Sequence, residues 1–281
     1  MSADSIARVR AFYDRTIAHE AQRLDEHVYR RLERDLTLRL IERHVPAGSR
    51  ILDVGGGPGA YLAPLTARGY QPWLADLSDE NVRHAQARAH ALGLLPLAER
   101  VQKANATDLG AYPSGSFDAA LCAGPFYHLT DPADQQRALA ELRRVVRKDG
   151  VVVCGILPRL HPLRYLLREG SEESWRCLEL LDCDRLLADG RYLNPVADDL
   201  FFTDAQTFTP SRFCALLDGA GFQVLDVAAA EGLCAFFDVP LAAVITDEAR
   251  YRRLFALVER TARDPDLLGA AEHVLVVAKR V

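Results

Sequence analysis

Lysine is nearly missing. Only Lys103, Lys148 and Lys279 occur in 281 residues, so arginine carries almost all the positive charge, a pattern of codon usage rather than of function. Basic residues are not in excess either: 34 Lys and Arg against 39 Asp and Glu leave a net charge of −5. A nucleic-acid binder presents a basic surface to the phosphate backbone, so this balance speaks against an RNA or DNA partner. The six cysteines (Cys122, Cys154, Cys177, Cys183, Cys214 and Cys234) are scattered, with no C-x-x-C pair and no zinc-ligand spacing. No metal site is expected. The longest apolar runs, such as Val151 to Leu157, are strand-sized and too short to cross a bilayer. The first ten residues lack an apolar signal-peptide core. Reduced thiols in a cytoplasm, away from the membrane, are the expectation. No internal repeat or low-complexity segment is visible. At 49% hydrophobic and 26% charged residues, the composition is that of an ordinary globular protein, long enough for one large domain with an added lid.

What is present is a rhythm. Val28, Leu32, Leu36, Leu40 and Ile41 recur at helical spacing and stop near Pro46-Ala47-Gly48. Arg50 to Val54 then reads as a buried strand, and a glycine cluster turns it into a helix over Tyr61 to Ala67. Pro72 to Asp76 is a second strand with a helix over 79–92, and a weaker third lies near 100–104. Phe117 to Cys122 is the fourth, with a helix over 132–147, and Val151 to Ile156 the fifth. Strands alternating with helices predict a parallel, doubly wound α/β sheet. The rhythm breaks over 158–208, a Leu-, Arg- and Asp-rich stretch read as an inserted helical cap. Thr209-Pro210-Ser211 starts a further helix, Phe222 to Val227 is the sixth strand, residues 239–268 are a second helical excursion, and His273 to Ala278 is the last strand. The expected division is an N-terminal helical lid (1–45), a core of 46–157 with 209–281, and the cap (158–208).

At the end of the first strand stands Asp53-Val54-Gly55-Gly56-Gly57-Pro58-Gly59. Glycines there let the backbone turn sharply and approach a ligand without a Cβ in the way. Asp76 ends the second strand and puts a carboxylate where a ribose diol lies in such folds. As bare letters, Gly55-x-Gly57-x-x-Ala60 also passes the dinucleotide pattern, so the loop alone leaves two cofactors open.

Taken together these segments resemble the class I S-adenosylmethionine (SAM)-dependent methyltransferases. The Asp53–Gly59 run is similar to that family's D-x-G-x-G-x-G signature. Ala104-Asn105-Ala106-Thr107-Asp108-Leu109 resembles its G-D-A-x-x-L segment, with Asn105 in place of the usual Asp. Phe117 to Leu129, Leu142 to Gly150, Ala220-Gly221-Phe222 and the closing His273 to Lys279 resemble its later elements. The resemblance implies a Rossmann-like seven-stranded sheet with a final antiparallel strand, and SAM as cofactor. It implies that Gly55, Gly56, Gly57 and Gly59 pack under the methionyl part, with Asp53 orienting the loop or the amino group. It gives Asp76 the ribose hydroxyls and sets Leu77 against the adenine. An Asn105 oxygen accepts from the adenine amino group, the Ala106 N–H serves a ring nitrogen, Asp108 is a second candidate for the amino group, and Ala123 borders the cofactor after strand four. Tyr13 lies in a segment that in the family often folds over the cofactor, where its phenol would meet the SAM carboxylate; Arg23 is a weaker candidate for the same role.

Displacement from a sulfonium needs an in-line nucleophile, a dry site and sometimes a base. His128, just beyond the fourth strand, is the expected base, since an unperturbed imidazole suits proton removal near neutrality; packing near the adenine is the competing role. His161 reads as a surface histidine. The implied activity is methyl transfer to oxygen or nitrogen of a small molecule, such as a secondary metabolite. A catalytically silent SAM-binding regulatory or scaffold subunit and an NAD(P)-dependent oxidoreductase are the rivals. Asp53 before the glycines and Pro58 inside the loop count against the last. The acceptor and the oligomeric state are not legible.

Overall fold

In a computed structural model the described residues are 6–15, 27–91, 93, 100–196, 201–237 and 241–281. Residues 6–15 are helical (α1). Helix α2 (Val28–His44) buries the stripe Val28, Leu32, Leu36, Leu40 and Ile41, and ends where Pro46 can no longer donate. There follow β1 (Arg50–Val54), α3 (Leu62–Ala67), β2 (Gln71–Asp76), α4 (Asp79–Ala91), β3 (Val101–Lys103) and β4 (Phe117–Cys122). A 3-10 turn (Pro125–His128) leads to α5 (Pro132–Val145) and β5 (Val146–Ile156). After the excursion come α9 (Pro210–Gly219), β8 (Phe222–Ala229) and β9 (Val274–Arg280).

The seven strands form one sheet in the order β3-β2-β1-β4-β5-β9-β8. All neighbouring pairs from β3 to β5 are parallel, and β9 runs antiparallel to both β5 and β8. The Rossmann-like sheet with its antiparallel last strand is thus as expected. Helices cover both faces. Phe213 and Leu217 of α9 pack with Phe117, Phe126 and Leu139 on one side; Leu36 and Ile41 of α2 pack with Leu65, Leu121 and Val153 on the other. Burial on both faces is why the central strands read as unbroken apolar runs.

β5 begins earlier than the sequence suggested. Val146 already pairs with Phe117; the exposed residues Arg147 to Asp149 then bulge out, with Asp149 at φ 62, before pairing resumes between Val151 and Ala119. The cap segment is mostly but not wholly helical. Helices α6 (His161–Glu169), α7 (Glu172–Leu180) and α8 (Cys183–Asp189) precede a short antiparallel pair, β6 (Arg191–Tyr192) with β7 (Ala205–Gln206). Gly170 and Gly190, both left-handed, end α6 and α8, while Ser171 and Asp182 cap the starts of α7 and α8 through their side chains. This segment has its own small core around Leu166, Cys177, Leu186 and Tyr192. In the second excursion, α10 (Glu248–Thr261) and α11 (Pro265–Leu268) pack back towards α2 and β8.

Gly155 sets how closely β5 passes the chain leaving β4. A Cβ there would stand 2.6 Å from the Ala123 oxygen and 3.0 Å from its Cα, both backbone atoms that cannot yield without moving the crevice. Gly155→Ala is expected to destabilise the protein by about 1–3 kcal/mol, the usual cost of overpacking. Urea unfolding checks this, and an unchanged midpoint would show that the crevice has slack.

Candidate functional site

The site grows from the end of β1. The chain leaves Val54 through Gly55 (φ 71), Gly57 (φ 55) and Gly59 (φ 83), left-handed values that other residues rarely adopt. Space is as restrictive as torsion. A Cβ on Gly55 would meet Pro125 Cγ at 2.6 Å, and one on Gly56 would meet Leu74 at 2.6 Å and Asp53 Oδ2 at 2.7 Å. The loop is held by Asp76 at the end of β2. Its Oδ2 accepts the Gly57 N–H at 2.9 Å, and its Oδ1 accepts the Ser78 N–H at 2.9 Å and the Asn81 amide at 3.0 Å. Burial nevertheless pushes the Asp76 carboxyl above its ordinary range. Asp53, 2% exposed, is pushed up to about 8, first by burial and then by the nearby Asp76 charge.

Loop, strand ends and α1 enclose a cleft of about 150 Å³. Its lining includes Tyr13, Asp53, Gly55, Gly56, Gly57, Asp76, Leu77, Asn105, Ala106, Ala123 and His128, all singled out from sequence. Gly59 and Asp108 are not among them. Gly59 faces Leu62 and Ala85, so it serves packing of the loop on α3 and α4. The Asp108 carboxylate turns back to accept the Gly110 N–H at 3.1 Å and is spent on its own loop. Arg23 lies outside the described residues. Glu33 and Asn81 line the cleft without having been foreseen. Both sit on helices whose pattern reads only as amphipathic, and a lone polar residue there carries no signal. Two buried oxygens on the wall, Asp53 Oδ2 and Asn81 Oδ1, have no hydrogen-bond partner among the described residues.

His128 is 7% exposed and bonded at both nitrogens. The Thr203 hydroxyl donates to the Asp204 carbonyl at 3.1 Å, so it takes the Nδ1–H of His128 at 3.3 Å. That leaves Nε2 to accept the Tyr13 phenol at 2.7 Å. Burial alone holds the imidazole down to about 3. Such a ring is neutral at physiological pH but keeps a captured proton poorly. These surroundings weigh against the expected role as base and suit His128 to fixing Tyr13. The ring also stacks on Phe202, which meets Phe12 of α1 edge-on at 5.5 Å, and Arg8 pairs with Asp204 at 2.7 Å. Thus α1 and the end of the cap segment meet above β4. His161 departs from expectation too: its ring packs against Tyr165, Phe236 and His273, and burial carries it well below the ordinary histidine value.

Comparison with known proteins gives this geometry a relationship. The family profile described as "Methyltransferase domain" matches residues 52–154, from β1 through β5, and so spans the glycine loop and the Asp76 turn. That match takes in under half of the chain. The chain is 38% identical over 97 residues to a ubiquinone biosynthesis O-methyltransferase of Xanthomonas axonopodis pv. citri, covering 34% of this chain and 39% of that protein. It is 34% identical over 138 residues to the protein of that name from Chromobacterium violaceum, covering 49% and 57%. The chain therefore spans about two-fifths to somewhat over half the length of the curated relatives it matches. Among solved structures, the 1,6-didemethyltoxoflavin-N1-methyltransferase of Burkholderia thailandensis shares the fold at TM-score 0.59 and 16% identity, covering 100% of this chain and 91% of that one. A SAM-dependent methyltransferase of Methanosarcina mazei does so at 0.57 and 19%, covering 86% and 97%. No helix among the described residues is long and apolar enough to cross a membrane.

The raised Asp53 carboxyl has a thermodynamic consequence. Between the unfolded value near 4 and the folded value of about 8, the native state holds a proton that the unfolded state has lost. Stability of the ligand-free protein therefore falls as pH rises through that window. Asp53→Asn, which keeps the shape without the charge, is expected to flatten the slope and to gain on the order of a few kcal/mol at the alkaline end. Urea unfolding from pH 5 to pH 8 checks it; an unaltered slope would place the titration elsewhere.

Proposed function

We propose that this chain transfers a methyl group from SAM to an oxygen or nitrogen of a small-molecule acceptor. The observation that carries the reading is the cleft where the glycine loop, Asp76 and the Asn105–Ala106 turn converge at the carboxyl ends of the parallel strands. The residues suit the cofactor. A loop with no room for a Cβ leaves space for the methionyl chain, and the partnerless Asp53 Oδ2 suits an ammonium. Asp76 and Asn81 offer oxygens to a ribose diol, and Leu77, Asn105 and Ala106 border the place for adenine. Tyr13 gives its one phenolic hydrogen to His128 Nε2, so its oxygen is left as an acceptor and suits the ammonium of the cofactor better than the carboxylate expected from sequence. SAM supplies an electrophilic methyl on a sulfonium; the chain orients it, excludes water and receives any proton released.

The acceptor is proposed to be small because α1 and the 201–208 segment close over the strand ends through the Arg8–Asp204 pair and the Phe12–Phe202 contact. Residues 1–45 and 158–208 would act as lid and cap on the sheet core. A net charge of −5 offers nothing to a nucleic acid. Cys122 and Cys154, side by side across β4 and β5 and both free, suit a reducing cytoplasm. The O-methyltransferase names of the curated relatives favour oxygen as the methylated atom.

Calorimetry is expected to show binding of SAM and S-adenosylhomocysteine without competition from NAD; NAD binding in the absence of SAM binding would overturn the reading. Release of S-adenosylhomocysteine with a panel of small hydroxyl and amine acceptors separates an enzyme from a silent SAM-binding subunit. Asp76→Ala is expected to weaken SAM at least about tenfold, since each charge-assisted hydrogen bond is worth about 1.5–3 kcal/mol. Unchanged affinity in a folded variant, judged by circular dichroism, would remove Asp76 from the site.

A further inference from the structure

At the opposite edge of the sheet from the cofactor cleft lies a second cavity, of about 420 Å³, within the range of small-molecule pockets. Topology builds it. The parallel strands begin at this edge and the antiparallel β9 ends there, so Arg280 pairs with Phe222 at the start of β8. The Arg280 guanidinium donates to the Val146 carbonyl, where β5 begins, at 2.6 Å. Helix α5 ends at the same place and presents Gln136, Arg143 and Arg144 to the cavity, positions that share one face at helical spacing. The chain entering β4 adds Ser114.

No acid lines this cavity. Arg144 is already spent: Glu141 accepts from its Nε and Nη2 at 2.8 Å each, and the Tyr112 and Leu109 carbonyls accept at 2.7 and 2.8 Å. Holding carbonyls is an ordinary use for an arginine in the last turn of a helix. Arg143 is not used so. Among the described residues nothing accepts from it and no carboxylate pairs with it. Its side chain lies instead against Gly221, whose left-handed backbone (φ 82) carries no Cβ; one there would stand 2.7 Å from Arg143 Nε. Arg280 gives one terminal nitrogen to Val146, its buried Nε has no partner, and no carboxylate balances it among the described residues. Two guanidiniums, one on a helix and one on a strand, thus border one cavity without a counter-charge, in a protein of net charge −5. Like charges around one small space repel, and an anion between them turns that cost into attraction.

We propose that this cavity is a binding site for a phosphorylated small molecule, separate from the cofactor cleft and independent of the methyl-transfer reading. A guanidinium fork meets phosphate oxygens two at a time and keeps its charge throughout the physiological range. The Ser114 hydroxyl and the Gln136 amide, both exposed and without a partner among the described residues, add neutral donors. A carboxylate, with two oxygens, is served by the arginines alone; a phosphate group has oxygens for the hydroxyl and the amide as well. Arg137, Arg147 and Lys279, on the elements that form this edge, pair with Asp134, Asp118 and Asp149. That leaves little positive charge beyond the cavity for a nucleic acid, which needs a longer basic track.

The probes are inorganic orthophosphate and pyrophosphate, titrated calorimetrically into the full chain at matched ionic strength. Saturable binding at one site per chain is expected for at least one of them. Tighter orthophosphate points to a phosphate monoester as the natural ligand, and tighter pyrophosphate to a diphosphate. Arg143→Gln and Arg280→Gln are each expected to weaken the tighter probe at least about tenfold, the loss of one charge-assisted contact. Arg143→Lys, which keeps the charge and loses the fork, is expected to weaken it less than Arg143→Gln. Arg147→Gln removes the same charge from the same edge but outside the cavity, and is expected to stay within about twofold of wild type. Arg143 is exposed, so its variants keep the fold, which circular dichroism checks. Binding of neither anion overturns the proposal. Wild-type affinity in Arg143→Gln does the same by placing the anion elsewhere. An equal loss in Arg147→Gln also overturns it, because the attraction would then be diffuse charge and not a site.

Discussion

The arrangement depends on one buried carboxylate. Asp76 closes β2 and, through Gly57, Ser78 and Asn81, ties the glycine loop to the start of α4. Burial penalises its charge, and Asp53 lies close enough to be penalised in turn. Two acids thus share a nearly dry corner, stabilised by backbone N–H groups and one amide. Charge held this way waits for a ligand that brings hydroxyls and an ammonium, and a ligand doing so relieves both desolvation costs at once. The Gly57 N–H that Asp76 accepts belongs to a residue at φ 55, so one contact ties the carboxylate to a left-handed turn of the loop.

A second constraint is topological. Six strands run one way and β9 runs back between β5 and β8. That reversal brings the start of one strand to the edge where the others finish, so His273 and Glu231, 42 positions apart, come to share two hydrogen bonds. The crevice over β1, β2 and β4 is built from loops that follow strands. The edge over β5, β8 and β9 is built from a strand start, where the buried Glu231–His273 pair sits.

Much of the fold was legible because its signals are local. Buried strands announce themselves as short apolar runs, and the loop from Asp53 to Gly59 as a density of turn-formers with an acid ahead of it. The cleft residues Asp76, Asn105 and Ala123 follow strand ends and could be located by counting. Glu33 and Asn81 could not, because both sit on amphipathic helices where a polar residue ordinarily faces water. Asp108 misled for the opposite reason: an acid in a matching segment can be consumed by its own turn. The early start of β5 escaped because the exposed run Arg147 to Asp149 masks pairing that the backbone alone maintains.

Two buried histidines show how partners, beyond residue type and position, set what an imidazole can do. His128 has the place sequence reasoning favours, beyond the fourth strand and facing the cleft. Its neighbours, however, are a phenol, a hydroxyl and an aromatic face, none of which stabilises an added charge, and burial removes water as well. His273 is as hidden, but its partner is a carboxylate, with a second one nearby. A proton arriving at His128 makes a buried, uncompensated cation; one arriving at His273 makes an ion pair already formed in geometry. Similar burial therefore leaves the two rings with different capacities: the first suits holding Tyr13 through a fixed tautomer, and the second can carry a charge that its carboxylate compensates. Partners supplied by distant segments of chain, and not burial, set that difference.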